Sequence, residues 1–280
     1  MSLFIPPPAE FYEGKSSDYL AGWVKAMKEH WAGFGIKVEF PLKSNRSYTS
    51  FNYSGSGFAA RIKREHFEAV LKLTQPYFGK CNVIDLGCAD GVFLPSVSNY
   101  FNNVAAIDIE PKFVQQATEL SEFAKLKNVK SSCSEGKSIL QLQEELSGIE
   151  WDILFLLEVM EHVGDPKRMY DSKLEFLEGA ATLLKKGGLL VISVPKMVGL
   201  AFLIQRFGIS MLGLPKEPIS FGNLFRASFL RDAEAMEKYW WNGGHMGFSH
   251  LKLEKYMRKS FEIVKKKNLL FQAVYVIRKN

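Results

Sequence analysis

Residues 83–91 have the sequence VIDLGCADG, a short and mostly apolar run that leads into a turn with two glycines. Such a run, followed by a helix, predicts the strand, turn and helix of an open α/β sheet. Ligands of these sheets bind at the carboxyl ends of the strands, where the strand order reverses. Gly87 lets the backbone approach a ligand with no Cβ in the way, and Gly91 permits a close helix start. The stretch therefore predicts a ligand-binding turn after the first strand.

Helix and strand patterns alternate from about residue 58 onward, which indicates a parallel sheet covered on both faces. The last two strands are separated by a tight turn near Asn268 and are predicted to pair antiparallel. We therefore expect an α/β fold with a Rossmann-like, seven-stranded, mostly parallel sheet and an antiparallel C-terminal hairpin. The predicted helices span residues 58–78, 93–101, 139–146, 173–184 and 251–258, with one more opened by Pro111, and the predicted strands span 82–86, 104–109, 129–133, 153–157, 189–194, 261–265 and 270–277.

Two parts of the chain fall outside this alternation. Residues 1–57 are rich in aromatic residues without a regular period, and we expect them to form an N-terminal cap over the carboxyl end of the sheet. Residues 58–280 are the predicted main domain, with a substrate-covering insert at about 196–244 after the fifth strand. The apolar content of the insert favours an apolar substrate or contact with membrane lipid, while a self-packed lid accounts for it equally well. Its candidates for meeting an acidic head group are Arg206, Lys216, Arg226 and Arg231.

The composition is that of an ordinary globular protein of 280 residues, with 47% hydrophobic residues and a net charge of +6. That charge is compatible with an acidic ligand, a nucleic acid or an anionic membrane, and equally with a solvated surface. Three cysteines without a CxxC pair indicate a reducing compartment, so we expect a cytoplasmic protein. The most apolar stretch, residues 197–214, contains Gln205, Arg206 and three glycines, so no transmembrane segment is expected.

A pair of acidic residues sharpens the prediction of a nucleoside ligand. Asp85 precedes the first glycine, and Asp108 ends the next predicted strand at the spacing expected for recognition of ribose hydroxyls. VIDLGCADG resembles motif I of the class I S-adenosylmethionine-dependent methyltransferases. The stretches AAIDIE, WDILFLLEVMEHV and KKGGLLVISVP resemble the motifs of that family at the second, fourth and fifth strands. The resemblance covers roughly residues 58–195 and 245–278.

The resemblance implies S-adenosyl-L-methionine as cofactor and gives roles to several residues. Asp85 would orient the methionine amino group, Gly87 would line the cofactor, and Asp108 would bind the ribose. Ile109 would pack on the adenine. Many relatives have an aspartate after the third strand that meets the adenine amine, and here Ser134 and Glu135 occupy that place. The predicted cofactor-binding residues are Asp85, Gly87, Cys88, Gly91, Asp108, Ile109, Ser134, Glu135 and Leu157.

Three candidate catalytic residues, Glu158, Glu161 and His162, follow the fourth strand on one face of a helical turn. Two carboxylates and an imidazole are suitable ligands for a divalent cation, which lowers the pKa of an acceptor hydroxyl. The turn resembles that of ubiquinone-biosynthesis O-methyltransferases. It also resembles that of small-RNA ribose 2′-O-methyltransferases, which carry a further histidine after the fifth strand. By that resemblance the metal ligands would be Glu158, Glu161, His162 and His245, and the ion Mg, Mn or Zn.

Two alternatives to a metal site stay open. The same turn occurs widely in methyltransferases not known to need a metal, where His162 would act as a base or hydrogen-bond donor in the substrate pocket. The cluster would otherwise serve only as a structural cap. Of the remaining histidines, His30 and His66 lie in amphipathic contexts and are expected to be structural, and His250 is expected at the surface of a helix start.

Three functions follow as hypotheses. The first is methylation of a hydroxyl on a small, lipid-like or glycan-linked acceptor, with peripheral membrane contact through the insert. The second is ribose 2′-O-methylation of RNA, which ranks lower because the net charge is modest and no RNA-binding module is recognisable. The third is a non-catalytic protein that binds S-adenosylmethionine as part of a complex, against which the complete set of Asp85, Gly87, Asp108, Glu158 and His162 argues.

Overall fold

The structure of the protein, a computed structural model, describes residues 2–13, 18–35, 37, 49, 53, 58–211, 219–239 and 245–280. Single-turn 3-10 helices lie at Ala9–Tyr12, Gln75–Tyr77 and Pro166–Arg168, with a longer one at Glu234–Tyr239. The α-helices are α1 (Asp18–Ala32), α2 (Phe58–Thr74), α3 (Leu94–Tyr100), α4 (Pro111–Phe123), α5 (Ile139–Glu145), α6 (Met169–Ala181), α7 (Leu200–Met211), α8 (Phe221–Phe229) and α9 (His250–Met257), and the strands are β1 (Val83–Leu86), β2 (Val104–Asp108), β3 (Val129–Cys133), β4 (Ile153–Leu157), β5 (Leu189–Pro195), β6 (Phe261–Asn268) and β7 (Gln272–Lys279).

The seven strands form one sheet in the order β3-β2-β1-β4-β5-β7-β6. Strands β1 to β5 pair parallel, and β7 pairs antiparallel with both β5 and β6. The predicted Rossmann-like sheet with an antiparallel C-terminal hairpin is confirmed. Because the chain adds β2 and β3 on one side of β1 and then β4 on the other, the strand order reverses between β1 and β4. A ligand of this fold binds at the carboxyl end of that junction.

Successive strand residues bury their side chains on opposite faces of the sheet, as a period of two requires. Ile84, Leu154 and Ile192 belong to one hydrophobic core, which α5, α6, α7 and α9 cover. Phe155 and Val191 belong to a second core on the opposite face, covered by α2, α3 and α4. Because both faces of the sheet are buried, strands β1, β4 and β5 consist almost entirely of apolar residues.

The insert after β5 contains two helices that the sequence analysis did not resolve, α7 and α8. Gly199 N–H donates to the carbonyl of Ala227 at 2.9 Å and ties the start of α7 to α8. Arg206 is buried in this unit, so its predicted role at an acidic head group is wrong. Lys216 lies outside the described residues. Among the described residues, no helix combines the length and the apolarity that crossing a bilayer requires.

Two further predictions need correction. The predicted helix 173–184 begins earlier, at Met169, because Asp165 caps the preceding 3-10 turn by accepting a hydrogen bond from Lys167 N–H. His250 does open α9, but its side chain is buried rather than at the surface, because α9 packs on the sheet with that residue facing inward. Burial lowers the pKa of His250 to about 4, so the imidazole is neutral at pH 7.

Candidate active site

The turn after β1 depends on two glycines in left-handed backbone conformations. Gly87 has φ +89° and Gly91 has φ +91°. A Cβ on Gly87 would overlap the side chain of Val159, and a Cβ on Gly91 would lie 2.9 Å from Leu120 Cδ2. Gly87 is therefore the point at which the turn after β1 meets the turn after β4. Any side chain larger than hydrogen would push the two turns apart.

Asp108 at the end of β2 holds this turn through its carboxylate. Its Oδ2 accepts a hydrogen bond from Ala89 N–H at 2.8 Å, and its Oδ1 accepts one from Glu110 N–H at 2.9 Å. Burial raises the pKa of Asp108, while these two hydrogen bonds oppose the shift. The side chain thus joins β2 to the glycine turn, beside the position that the sequence assigns to a ribose.

Asp85 lies in the interior at the end of β1. It is buried, and its Oδ2 has no hydrogen-bond partner among the described residues. Burial and the negative charge of Asp108 raise the pKa of Asp85 to about 7. A buried acceptor without a donor is energetically costly unless a ligand supplies the missing hydrogen bond. The ammonium group of S-adenosylmethionine is a donor of the kind that this oxygen lacks.

The other predicted cofactor-binding residues surround the same edge of the sheet. Ile109 is 68% exposed, which leaves an apolar side chain at the end of β2 free to cover a flat ring. Ser134 N–H donates to the carbonyl of Asp108 at 2.8 Å, while the Glu135 side chain is exposed. Cys88 is buried and Leu157 half-buried. Their roles toward the cofactor stay predictions.

The turn after β4 begins at Glu158, a non-glycine residue with φ +57°. Its N–H donates to the carbonyl of Ser193 at 3.0 Å, and its Oε1 accepts a hydrogen bond from Ser193 Oγ at 3.0 Å. Burial raises the pKa of Glu158 to about 7, against the hydrogen bond from Ser193 and the positive charge of Lys63. Left-handed backbone is uncommon at a residue other than glycine. In this protein Glu158 lies beside the turn after β1, the predicted cofactor turn.

Three of the four predicted metal ligands come together. Glu161 Oε1 lies 3.5 Å from His245 Nδ1 and 4.0 Å from His162 Nε2, and the two imidazole rings are 4.8 Å apart at 72°. The potential ligand atoms of these residues all lie within 4.8 Å of one another. Glu158 does not belong to this group, and its Oε1 accepts a hydrogen bond from Ser193 Oγ.

This cluster is unusual in its lack of hydrogen bonds. The Glu161 side chain is 0% exposed, yet among the described residues neither of its oxygens has a hydrogen-bond partner, and His245 Nδ1 has none either. Burial and the charge of Glu158 raise the pKa of Glu161 well above its usual range. Burial also lowers the pKa of His162 to about 4 and that of His245 to about 3. Two neutral imidazoles and a buried carboxyl therefore face each other.

A buried lysine that is not among the predicted site residues holds this turn. Lys173 on α6 is buried, and its Nζ donates to the carbonyls of Met160 at 2.5 Å, Glu161 at 3.4 Å and Val163. Burial lowers its pKa to about 8, against the negative charge of Glu161. A signal was present in the sequence: Lys173 lies four residues before Leu177, on the buried face of the helix.

Comparison with known proteins agrees with this architecture. A model of the methyltransferase domain family matches residues 58–260, well over half of the chain. The ubiquinone biosynthesis O-methyltransferases of Xanthomonas campestris pv. campestris and Xanthomonas oryzae pv. oryzae are each 29% identical to the chain over 161 residues. Each alignment covers 54% of this chain and 61% of the relative, so the chain spans less than two thirds of the length of these relatives.

Two solved structures share the fold at low sequence identity. The magnesium protoporphyrin IX methyltransferase (ChlM) from Synechocystis PCC 6803, with bound SAH, has a TM-score of 0.51 and 14% identity, and the match covers 94% of this chain and 97% of that protein. The PH0226 protein from Pyrococcus horikoshii OT3 has a TM-score of 0.52 and 13% identity, with coverages of 82% and 95%. The chain belongs to the methyltransferase domain family, and its class is that of the S-adenosylmethionine-dependent methyltransferases.

Proposed function

We propose that the protein transfers the methyl group of S-adenosylmethionine to a hydroxyl oxygen of a small, lipid-like or glycan-linked acceptor. The observation that carries this proposal is the cluster of Glu161, His162 and His245. Glu161 and His162 lie on the turn after β4, whose Val159 packs against Gly87, and His245 comes from the segment before α9. The relatives in Xanthomonas, which are named O-methyltransferases, support oxygen as the acceptor atom.

The reaction requires removal of one proton. The methyl carbon leaves the sulfonium sulfur and bonds to the acceptor oxygen, the sulfur keeps the electron pair of the broken bond, and the hydroxyl proton goes to a base. The imidazole of His162 is neutral at pH 7 because its pKa is lowered to about 4, and its side chain is 39% exposed. In that state it accepts a hydrogen bond from the hydroxyl and then the proton.

The same cluster fits a divalent cation. Two imidazoles and one carboxylate are ligands for zinc or manganese rather than for magnesium, which prefers oxygen. The oxygens of Glu161 and Nδ1 of His245 are buried and have no hydrogen bond to any residue that the structure describes, and they are the atoms that such an ion would satisfy. As an alternative to His162 acting as the base, we propose that Glu161, His162 and His245 together hold the ion. Bound there, it would supply Lewis-acid chemistry that lowers the pKa of the acceptor hydroxyl.

We also propose that the face formed by α7 and α8 contacts an anionic membrane surface. Large apolar side chains with helical spacing are exposed on both helices, with Phe221 84% exposed. Arg231 is exposed next to α8, while Arg226 is paired with Asp232 at 2.5 Å. An apolar face with an exposed arginine beside it suits an interface of anionic lipids. The exposed set is Leu200, Ile204, Phe207, Phe221, Phe225, Phe229 and Leu230.

A transfer assay tests the proposed reaction. The protein is incubated with methyl-labelled cofactor and four acceptor pools: phenols with alkyl or isoprenoid tails, glycans, short RNAs with free 3′ ends, and primary amines. We expect label in the first or second pool as a methyl ether, identified by mass spectrometry. Label in RNA ribose alone would favour the second hypothesis, and label only in amines would contradict O-methylation. Treatment with a chelator, followed by zinc or manganese, tests the ion separately.

A further inference from the structure

The described N-terminal residues lie outside the family match at 58–260, yet they bind to the domain. Leu3 N–H and Phe4 N–H each donate to Glu68 Oε2 on α2 at 2.9 Å. Ile5 N–H donates to Ser96 Oγ on α3 at 2.9 Å. These contacts fix residues 2–5 along α2 and α3 before the chain reaches the 3-10 turn Ala9–Tyr12.

Two residues from this part of the chain converge on Asp90, inside the cofactor turn. Tyr12 donates its hydroxyl hydrogen to the backbone carbonyl of Asp90 at 3.1 Å. Thr49 N–H donates to Asp90 Oδ2 at 2.7 Å, and Thr49 Oγ1 donates to Asp90 Oδ1. Tyr12 and Thr49 are both buried. Asp90 therefore receives three hydrogen bonds from residues outside the family match.

Asp90 needs these partners because it has no access to water. Its exposed fraction is 0%, and a buried carboxylate destabilises the fold unless donors surround it. Burial raises the pKa of Asp90 to about 6, and the two hydrogen bonds from Thr49 oppose that shift. Loss of the Thr49 hydroxyl would leave one oxygen of a buried acid without its donor.

The neighbours of Asp90 are the residues that form the cofactor turn. Ala89, on one side, donates its N–H to Asp108, and Gly91, on the other, has φ +91° and donates its N–H to the carbonyl of Cys88 at 3.1 Å. A shift of Asp90 would move both of them. The N-terminal residues thus bind the turn at Asp90, while Asp108 binds it at the neighbouring Ala89.

We propose that Thr49 and Tyr12 are positioning residues for the cofactor: they hold the turn in its binding conformation, and cofactor binding in turn strengthens their attachment to Asp90. The proposal rests on the class of the protein, not on the acceptor or on a metal. Coupling between two binding events is reciprocal, so an effect of Thr49 on cofactor affinity requires an equal effect of the cofactor on docking of the N-terminal residues.

Calorimetry with S-adenosylhomocysteine tests the first half of this proposal. Thr49→Val keeps the shape of the side chain and removes the hydroxyl, and we expect the Kd to rise about tenfold. Thr49→Ser restores the hydroxyl and is expected to restore the Kd to within about twofold of wild type. Tyr12→Phe should raise the Kd about threefold, since it removes one neutral hydrogen bond. Glu68→Gln is the matched control, because it weakens the same N-terminal attachment away from Asp90.

Hydrogen exchange tests the second half. We expect S-adenosylhomocysteine to slow exchange in wild-type peptides that contain Tyr12 and Thr49, and to slow it less in Thr49→Val. A Thr49→Val protein with a wild-type Kd, or a Glu68→Gln protein that weakens binding as much as Thr49→Val, would overturn the proposal. If Thr49→Val does not fold, the Kd of Tyr12→Phe and the effect of the ligand on hydrogen exchange in the wild-type protein test the proposal instead. Failure of the wild-type protein to bind the ligand would contradict the class instead.

Discussion

The turns after β1 and β4 contact each other, but their buried carboxylates differ in how many hydrogen bonds they accept. In the cofactor turn, the carboxylates of Asp90 and Asp108 each accept two hydrogen bonds from the protein. In the turn after β4, named the acceptor turn here for its proposed role, Glu161 is equally buried and, among the described residues, accepts none. The first arrangement is complete apart from Asp85 Oδ2 at the end of β1, which has no donor among the described residues, whereas in the second both Glu161 oxygens lack one. We infer that the cofactor turn is preorganised, while the acceptor turn gains its missing interactions from an ion or a substrate.

The contact between the turns is tested by Gly87→Ala. Alanine at φ +89° is strained, and its Cβ would overlap Val159. We expect no measurable binding of S-adenosylhomocysteine by calorimetry and a loss of transfer activity. Gly79→Ala is the control, because Gly79 also has positive φ but has nothing within 4 Å of its Cβ position. Equal effects of the two substitutions would show that strain alone, and not the contact, accounts for the loss.

Glu161→Gln tests the acceptor turn. We expect kcat to fall by about 100-fold or more while the Kd of S-adenosylhomocysteine stays within about twofold, because the substituted residue acts on the acceptor and not on the cofactor. Glu144→Gln on the exposed face of α5 should leave both quantities unchanged. A Glu161→Gln enzyme with wild-type kcat would show that the cluster is structural.

Lys173→Met removes the ammonium group that binds three carbonyls of the acceptor turn. Because those carbonyls lose their donor in the interior, we expect the free energy of unfolding to fall by about 3 kcal/mol in urea titrations. Cofactor affinity should change little. Lys255→Met, at an exposed position of α9, controls for the loss of a positive charge. A stability equal to that of the control would contradict the role of Lys173.

The pKa of Asp85 predicts a pH effect on the protein without cofactor. Since its pKa is raised from 3.8 to about 7 in the folded state, the folded protein holds the proton more tightly than the unfolded chain. The stability that this provides is present at low pH and is lost as the pH rises from about 4 to 7. Relative to Asp85→Asn, the wild type should lose on the order of a few kcal/mol over that range. Parallel stability curves for the two proteins between pH 5 and pH 8 would contradict the shift.

The membrane proposal carries the smallest expected effect. Phe221→Ser removes an exposed aromatic ring from the face of α7 and α8, and we expect binding to vesicles of phosphatidylglycerol and phosphatidylcholine to weaken about tenfold in sedimentation. Leu140→Ser, at a 70% exposed position on α5, is the control. If both variants bind vesicles as the wild type does, the face has another occupant. A dimer that Phe221→Ser dissociates would identify that occupant as a second copy.

The sequence predicts the sheet well because its signals are local. The bounds of β3 and β4 match the predicted ones, since each strand is bracketed by turn residues. The C-terminal hairpin is confirmed by pairing of β6 with β7 up to Asn268 and Ala273. The helices of the insert escaped prediction, because both expose large apolar residues that a surface helix of a globular protein usually buries.

The polar contacts of the site were less predictable because they join distant parts of the chain. Thr49 and Asp90 are hydrogen-bonded although they are 41 positions apart in the sequence. The residues around neither of them indicate this contact. The proximity of His245 to Glu161 was expected only from family resemblance, and the burial of His250 depends on how α9 packs on the sheet. Tertiary packing determines such contacts, and the pattern of neighbouring residues along the chain carries no information about that packing.

The central claim is that the glycine turn between β1 and α3 binds the nucleoside of the cofactor beside Asp108. Calorimetric titration of S-adenosylhomocysteine into wild-type protein and into Asp108→Ala tests it most directly. We predict one binding site in the wild type and at least a tenfold weaker affinity in the variant, since a charge-assisted hydrogen bond to a ribose hydroxyl would be lost. No heat of binding in the wild type, or the same affinity in both proteins, would contradict the account.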